Sequence, residues 1–257
     1  IGRIHRERGN QHLAEMAFAD VLSKEPNNPS ALAEMGLLQL AMQRPDSARE
    51  LLGRAIAADQ QRLGSAASSG PDGLHVDAAS PLKVYNAMGV LADLQSDFAQ
   101  ASRYYNLARQ IDPRSALVAN SMAYSLYLAG KWPEAEQQYR LGLSYDSRYQ
   151  PLWRNYGLLL ARMERYEEAL SSFEQVEKRP EASNDVGYIC LIEGKLDMAE
   201  QFFRSAIEQS PSHYDIAWEN LSRVEQIRRI RQNDLGQQAP VAEVVAVVPP
   251  AKLQVMP

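Results

Sequence analysis

The chain has 257 residues, 45% hydrophobic and 23% charged, with 27 Lys plus Arg against 32 Asp plus Glu and a formal charge of −5. That balance supplies no basic field for nucleic acid, and no segment gathers the dense Lys/Arg face that phosphate neutralisation demands. No run approaches the ~18 consecutive apolar residues of a membrane span, and one cysteine, Cys190, excludes an internal disulfide.

A five-residue signature then organises the chain from its first residues. It begins as Gly2, Ala14, Phe18, Val21 and Pro26, and a weaker copy follows as Gly36, Ala48, Leu52, Ala55 and Gln60. With the same spacing come Gly89, Ala101, Tyr105, Ala108 and Pro113, then Ala123, Ala135, Tyr139, Gly142 and Ser147. A fifth copy is Gly157, Ala169, Phe173 and Val176, with its proline one residue early as Pro180, and the sixth is Gly187, Ala199, Phe203, Ala206 and Pro211. The step from Gly89 to Ala123 and on to Gly157 is 34 residues each time, the length of a helix–turn–helix repeat. The small residue on the first helix and the Ala twelve residues later let the two helices approach closely. The aromatic is expected to fill the gap between neighbouring repeats, and the proline to stop the second helix.

In this register the repeats occupy residues 1–28, 29–62, 82–115, 116–149, 150–179 and 180–213. Ile1 then falls inside the first helix of the first repeat, as expected if a targeting segment has been removed or the chain is a portion of a longer one. Gly36 to Gly89 is 53 residues, one repeat plus an insertion at 63–81. The insertion holds Gly64, Ser65, Ser68, Ser69, Gly70, Pro71, Asp72 and Gly73, a composition expected not to pack. It reads either as a tolerated surface loop or as one that contacts a partner. Cys190 lies three residues after Gly187, where a small buried residue is expected. Residues 214–232 carry Ile216, Ala217, Leu221, Val224, Ile227 and Ile230 at helical spacing with charged residues between, the pattern of a capping helix. The tail at 233–257 is rich in Gln, Pro and Val and includes Pro249 and Pro250. It is read as an extended or disordered end, or as a segment that docks on a partner or on this chain.

No constellation for chemistry stands out. His5, His12, His75 and His213 have no metal-ligand spacing, and the Gly64–Gly73 stretch does not end in Lys-Ser or Lys-Thr as a phosphate cradle would. Acidic pairs such as Glu167 and Glu168 fall on the solvated backs of helices. The expectation is a protein without catalytic residues, metal or cofactor.

The signature and its period resemble the tetratricopeptide repeat (TPR) family over residues 1–213. That resemblance implies an all-α TPR solenoid, a right-handed superhelix of about six helix–turn–helix repeats with a C-terminal capping helix. In such solenoids the first helices line a concave groove, which makes groove candidates of the residues beside each signature small residue. These are Asn86, Asn120, Asn155 and Asn184, with Leu37, Val90, Tyr124, Tyr127, Leu158 and Tyr188 as an apolar and aromatic stripe. An Asn amide can both donate to and accept from a peptide backbone, so such a ladder could hold an extended partner; it could equally bond to the neighbouring repeat. The ladder resembles that of the TPR part of O-linked N-acetylglucosamine transferase. It does not resemble the carboxylate clamp of chaperone-binding TPR domains, since only Lys83 and Arg154 lie nearby.

A narrower likeness rests on NSMAYSLYLAGKWPEA from Asn120 to Ala135 and on NDVGYICLIEGKLDMAEQFFRSAIEQSPSHYDIAWENL from Asn184 to Leu221. These resemble bacterial TPR lipoproteins of pilus assembly, first the TPR protein of the tight-adherence (Flp) pilus system and then the type IV pilus pilotin. The resemblance implies a pilotin-like assembly factor at the periplasmic face of the outer membrane, with a secretin or other pilus or secretion component as protein partner. It also implies a lipid anchor on a removed N-terminal segment, although the lipid-bearing cysteine of those families has no counterpart in this sequence. The competing reading is a cytoplasmic TPR scaffold or regulator, including the substrate-recognition region of a larger enzyme.

Overall fold

A computed structural model describes residues 2–64 and 71–235, and every regular element among them is an α-helix. In chain order these are α1 (Gly2–Glu7), α2 (Gln11–Lys24), α3 (Pro29–Ala41), α4 (Pro45–Arg62), α5 (Leu82–Asp93), α6 (Phe98–Ile111) and α7 (Ala116–Leu128). They continue as α8 (Trp132–Tyr145), α9 (Gln150–Arg162), α10 (Tyr166–Phe173), α11 (Arg179–Ile192), α12 (Leu196–Gln209) and α13 (Asp215–Leu235). Contacts divide the chain into two compact units, one reaching Asp146 and the other starting at Ser147. The first contains α1 to α8 and the second α9 to α13.

Local chemistry sets the helix ends. Asn28, Asp97 and Ser115 cap α3, α6 and α7 by accepting from the amides of Ala31, Gln100 and Val118. Within each repeat the turn between the two helices contains one residue in the left-handed region. These are Gly9, Gly130 and Gly194, each at φ 74°, and Gln43, Ser96 and Glu164, at 59°, 58° and 62°. Only the glycines adopt that conformation without a steric penalty.

The signature residues pack within their own repeat. A Cβ added at Gly89 would lie 2.4 Å from the Tyr105 ring, and one at Gly2 would lie 2.6 Å from Phe18. At Gly187 it would meet Phe203 at 2.9 Å, and at Gly157 it would meet Phe173 at 3.0 Å. The aromatic thus packs against the glycine of its own first helix, which is why no side chain fits there. Tyr105 also shares a cluster with Met122 of α7 in the next repeat, as expected of a residue that fills the gap between repeats. Tyr85, Tyr105, Tyr139, Phe173 and Phe203 are all fully enclosed, and each large apolar side chain so buried stabilises the fold by about 1.5–3 kcal/mol.

Two departures from the regular register have identifiable causes. Helix α10 has 8 residues where α6, α8 and α12 have 14. Pro180 consequently does not close the fifth repeat but stands in the first turn of α11, where its missing N–H costs nothing. Helix α13 runs to Leu235, so the first residues of the 233–257 tail are helical, and Gly236 follows them. The remainder of that tail lies outside the described residues, as does the 65–70 part of the insertion. Ala217, Leu221 and Val224 of α13 are buried, while Arg228 on the same helix pairs with Asp197 and Glu200 of α12.

Candidate functional site

The first helices of the repeats in the first compact unit, α3, α5 and α7, carry the predicted stripe. Leu37, Val90, Tyr124 and Tyr127 are half-buried, leaving apolar and aromatic surface toward solvent. The Tyr124 and Tyr127 rings stand 5.6 Å apart between centroids, tilted by 34°. Burial pushes the Tyr124 hydroxyl up to about 12, so it remains a neutral donor across the physiological range. Behind this face Asp93, at the end of α5, accepts from Tyr105 of α6 at 2.6 Å and from Ser125 of α7 at 2.7 Å. Burial raises the Asp93 carboxyl above its ordinary value although both hydroxyls favour its charged form. One side chain thus ties three helices and fixes α7 beside α5.

The asparagines are placed differently. Asn86, Asn120 and Asn184 are only 2%, 3% and 2% exposed, so their amides face the interior and not the open surface. In the second compact unit, Asn220 of α13 donates to Asn184 at 3.0 Å across buried surroundings. That is the inter-repeat role left open by the sequence. Asn155 is half-buried, whereas Leu158 and Tyr188 are buried at 8% and 4% exposure. Of the predicted set, Leu37, Val90, Tyr124, Tyr127 and Asn155 are therefore the accessible members, and the other asparagines are enclosed.

The insertion creates a feature that the sequence reading missed. At the position where the first, third and sixth repeats carry the terminal proline, the second repeat has Gln60, and α4 continues past it to Arg62, spanning 18 residues. Gln60 is fully buried, and its amide grips the His75 peptide. Its Nε2 donates to the His75 carbonyl at 2.7 Å and its Oε1 accepts the His75 N–H at 3.1 Å. The same Nε2 reaches Tyr85 Oη at 2.9 Å, and Tyr85 donates to Asp59 at 2.8 Å. Arg62 donates to Asp59 and makes a two-pronged contact with Asp77 at 2.7 and 2.8 Å. These hydrogen bonds hold the Asp77 carboxyl far below the usual carboxylate range and push the Arg62 guanidinium up. Pro71, Leu74 and Ser80 are buried, and Asp72 pairs with Arg103 of α6 at 2.8 Å. The expectation that this segment cannot pack is thus corrected for residues 71–81: a network of polar anchors does what apolar composition could not.

A cavity of about 700 Å³ opens between α3, the end of α4 and the start of α5, with Ala79 and Pro81 of the insertion in its lining. Small Ala33, Ala55, Ala58 and Ala79 leave the space, and Leu37, Leu82 and Val84 give it apolar walls. Arg3, Glu34, Asp59, Arg62 and Lys83 supply its charged groups. This size falls among ligand pockets, and the lining fits an apolar side chain with few polar contacts. Among the described residues no group of three or more His, Cys, Asp or Glu could hold a metal ion, and no helix is long and apolar enough to cross a membrane. Cys190 is buried, and burial lifts its thiol to about 11, which disfavours the thiolate.

Family models described as tetratricopeptide repeat match residues 6–68 and 153–214. The probable UDP-N-acetylglucosamine–peptide N-acetylglucosaminyltransferase SPINDLY of Hordeum vulgare is 26% identical over 179 residues, covering 67% of this chain and 17% of that protein. With protein bimA of Emericella nidulans the covered share is 14%, so the chain spans less than a fifth of the length of the curated relatives it matches. Among solved structures, PilW, described as a widely conserved type IV pilus biogenesis factor, aligns with a TM-score of 0.62 at 15% identity over 87% of this chain and 94% of its own. The Cut9–Hcn1 hetero-tetramer of the APC/C aligns with a TM-score of 0.63 at 13% identity over 87% of this chain and 41% of its own. At such identities the solved structures establish the fold alone.

Proposed function

We propose that this tetratricopeptide repeat protein is a non-enzymatic interaction scaffold that serves as a pilotin-like assembly factor, holding an extended segment of a secretin or other pilus or secretion component. The observation that carries the reading is the partly exposed apolar and aromatic surface of α3, α5 and α7, where Leu37, Val90, Tyr124 and Tyr127 remain half-buried and Leu37 also lines an open cavity. Stacked repeats of this kind offer extended binding surfaces, and partial exposure of aromatic side chains is the composition that protein interfaces favour. The pilus assignment draws its support from the Asn120–Ala135 and Asn184–Leu221 motifs and from the likeness in size and fold to PilW. In this reading the protein works at the periplasmic face of the outer membrane.

The SPINDLY match favours a second reading, in which the chain is the substrate-recognition region of a larger protein or a cytoplasmic scaffold. A photo-crosslinking residue placed at Tyr127 in cells of the source organism separates the two. Attachment to a secretin or pilus subunit supports the assembly role. Attachment only to cytoplasmic proteins replaces it with the second reading.

A further inference from the structure

We propose that the cavity framed by α3, α4, α5 and residues 79–81 receives a large apolar side chain of an extended peptide in which a carboxylate lies within two residues of that anchor. The inference rests on the scaffold reading and specifies the partner chemistry of the same face. Its first ground is shape. Four alanines keep the walls short around about 700 Å³, more room than the chain's own side chains use. Leu37, already part of the stripe, forms one wall, so the cavity is continuous with the face of α3.

Its second ground is charge. Of the carboxylates at the cavity, Glu34 is held by Arg3 at 2.8 Å and by Arg6 at 2.5 Å. Asp59 is held by Arg62 at 2.7 Å and also accepts from Tyr85. Two guanidiniums thus face Glu34, while Arg62 is shared between Asp59 and Asp77, so these paired groups balance one another in formal charge. Lys83, exposed in the first turn of α5, makes no ion pair among the described residues. The mouth therefore carries an uncompensated positive charge on a chain whose overall formal charge is −5. A ligand that fills the apolar floor and satisfies this ammonium must bring an anionic group close to its apolar anchor. A cationic neighbour would be repelled there.

The full chain is used to select from a phage-displayed library of random peptides, and the enriched peptides are synthesised with a fluorescein label and titrated by anisotropy. The expected motif pairs Leu, Met, Phe or Trp with Asp or Glu within two residues. Ala58→Trp, which fills the cavity from a half-buried position, should weaken binding about tenfold or more. Lys83→Glu should weaken it about two- to fivefold. Ala33→Phe serves as a second filling variant, and circular dichroism confirms that each variant is folded. Selected peptides that bind both filled variants as tightly as the parent overturn the proposal and leave the scaffold reading standing. A motif with Lys or Arg beside the anchor overturns it too, as does a library without any enriched motif. The crosslink at Tyr127 judges the scaffold reading independently of these outcomes.

Discussion

Replacing Gly89 with alanine places a Cβ 2.4 Å from Cε1 of Tyr105 and 2.7 Å from two further atoms of that ring. The ring cannot swing clear, because Tyr105 is 1% exposed and its hydroxyl donates to Asp93 at 2.6 Å. Overpacking a tight interior costs about 1–3 kcal/mol, and alanine returns about 0.8–1 kcal/mol of helix propensity. A 2.4 Å approach to a pinned ring belongs in the upper part of that range, so the balance is a net loss of about 1–2 kcal/mol. Gly53 provides the control: it sits in the interior of α4, and a Cβ there meets nothing within 4 Å. Gly53→Ala should therefore gain about 0.5–1 kcal/mol. Both positions belong to the first compact unit, so one urea transition followed by circular dichroism reports both. A Gly89→Ala protein as stable as the parent, or two substitutions that shift the transition the same way, would refute the role assigned to the signature glycine.

Three further outcomes follow from the same geometry. Asp77 is held below its ordinary value by Arg62, so its contribution is present above the unfolded carboxylate pKa of ~3.9 and is lost as pH falls through the lower folded value. The protection factors of the His75 and Ala79 amides, taken against the intrinsic exchange rate at each pH, should thus be high at neutral pH, fall in strong acid, and fall at neutral pH in Arg62→Ala; unchanged protection in that variant contradicts the anchoring. Asn184→Ala strips the Asn220 amide of its buried acceptor, and thermal melts should show a loss of about 1–3 kcal/mol. Cys190 is fully buried with its thiol lifted to about 11. A disulfide reagent at pH 8 should react with it slowly in the native protein and rapidly in urea, and a fast native reaction would mean that the site is open.

The repeat architecture was legible because its steric rule is local: Gly89 and Tyr105 stand 16 residues apart, and the gap recurs at Gly157 and Phe173 and at Gly187 and Phe203. The insertion was illegible for the opposite reason. Gly-, Ser- and Asp-rich composition describes a segment that cannot bury itself, and says nothing of Gln60, Tyr85 and Arg62, which lie outside the segment and supply its anchors. The 53-residue step from Gly36 to Gly89 located the insertion, and Gln60 stood in place of the signature proline, but Ser147 does so in the fourth repeat without any insertion. The cavity, lined by Arg62, Asp59 and Ala79 from segments far apart in sequence, was hidden for the same reason. The asparagine positions were readable but their direction was not, since an amide beside a small residue serves a bound backbone and an adjacent helix equally well. Burial at Asn86, Asn120 and Asn184 turned that balance inward.

The central claim is that a protein partner engages the first-helix face of the first compact unit. Once the partner is identified by crosslinking at Tyr127, hydrogen-exchange mass spectrometry of the full chain with and without it tests this most directly. The account predicts added protection in α3, α5 and α7, around Leu37, Lys83, Tyr124 and Tyr127. Protection confined to the second helices α4, α6 and α8, or to α13, would contradict it.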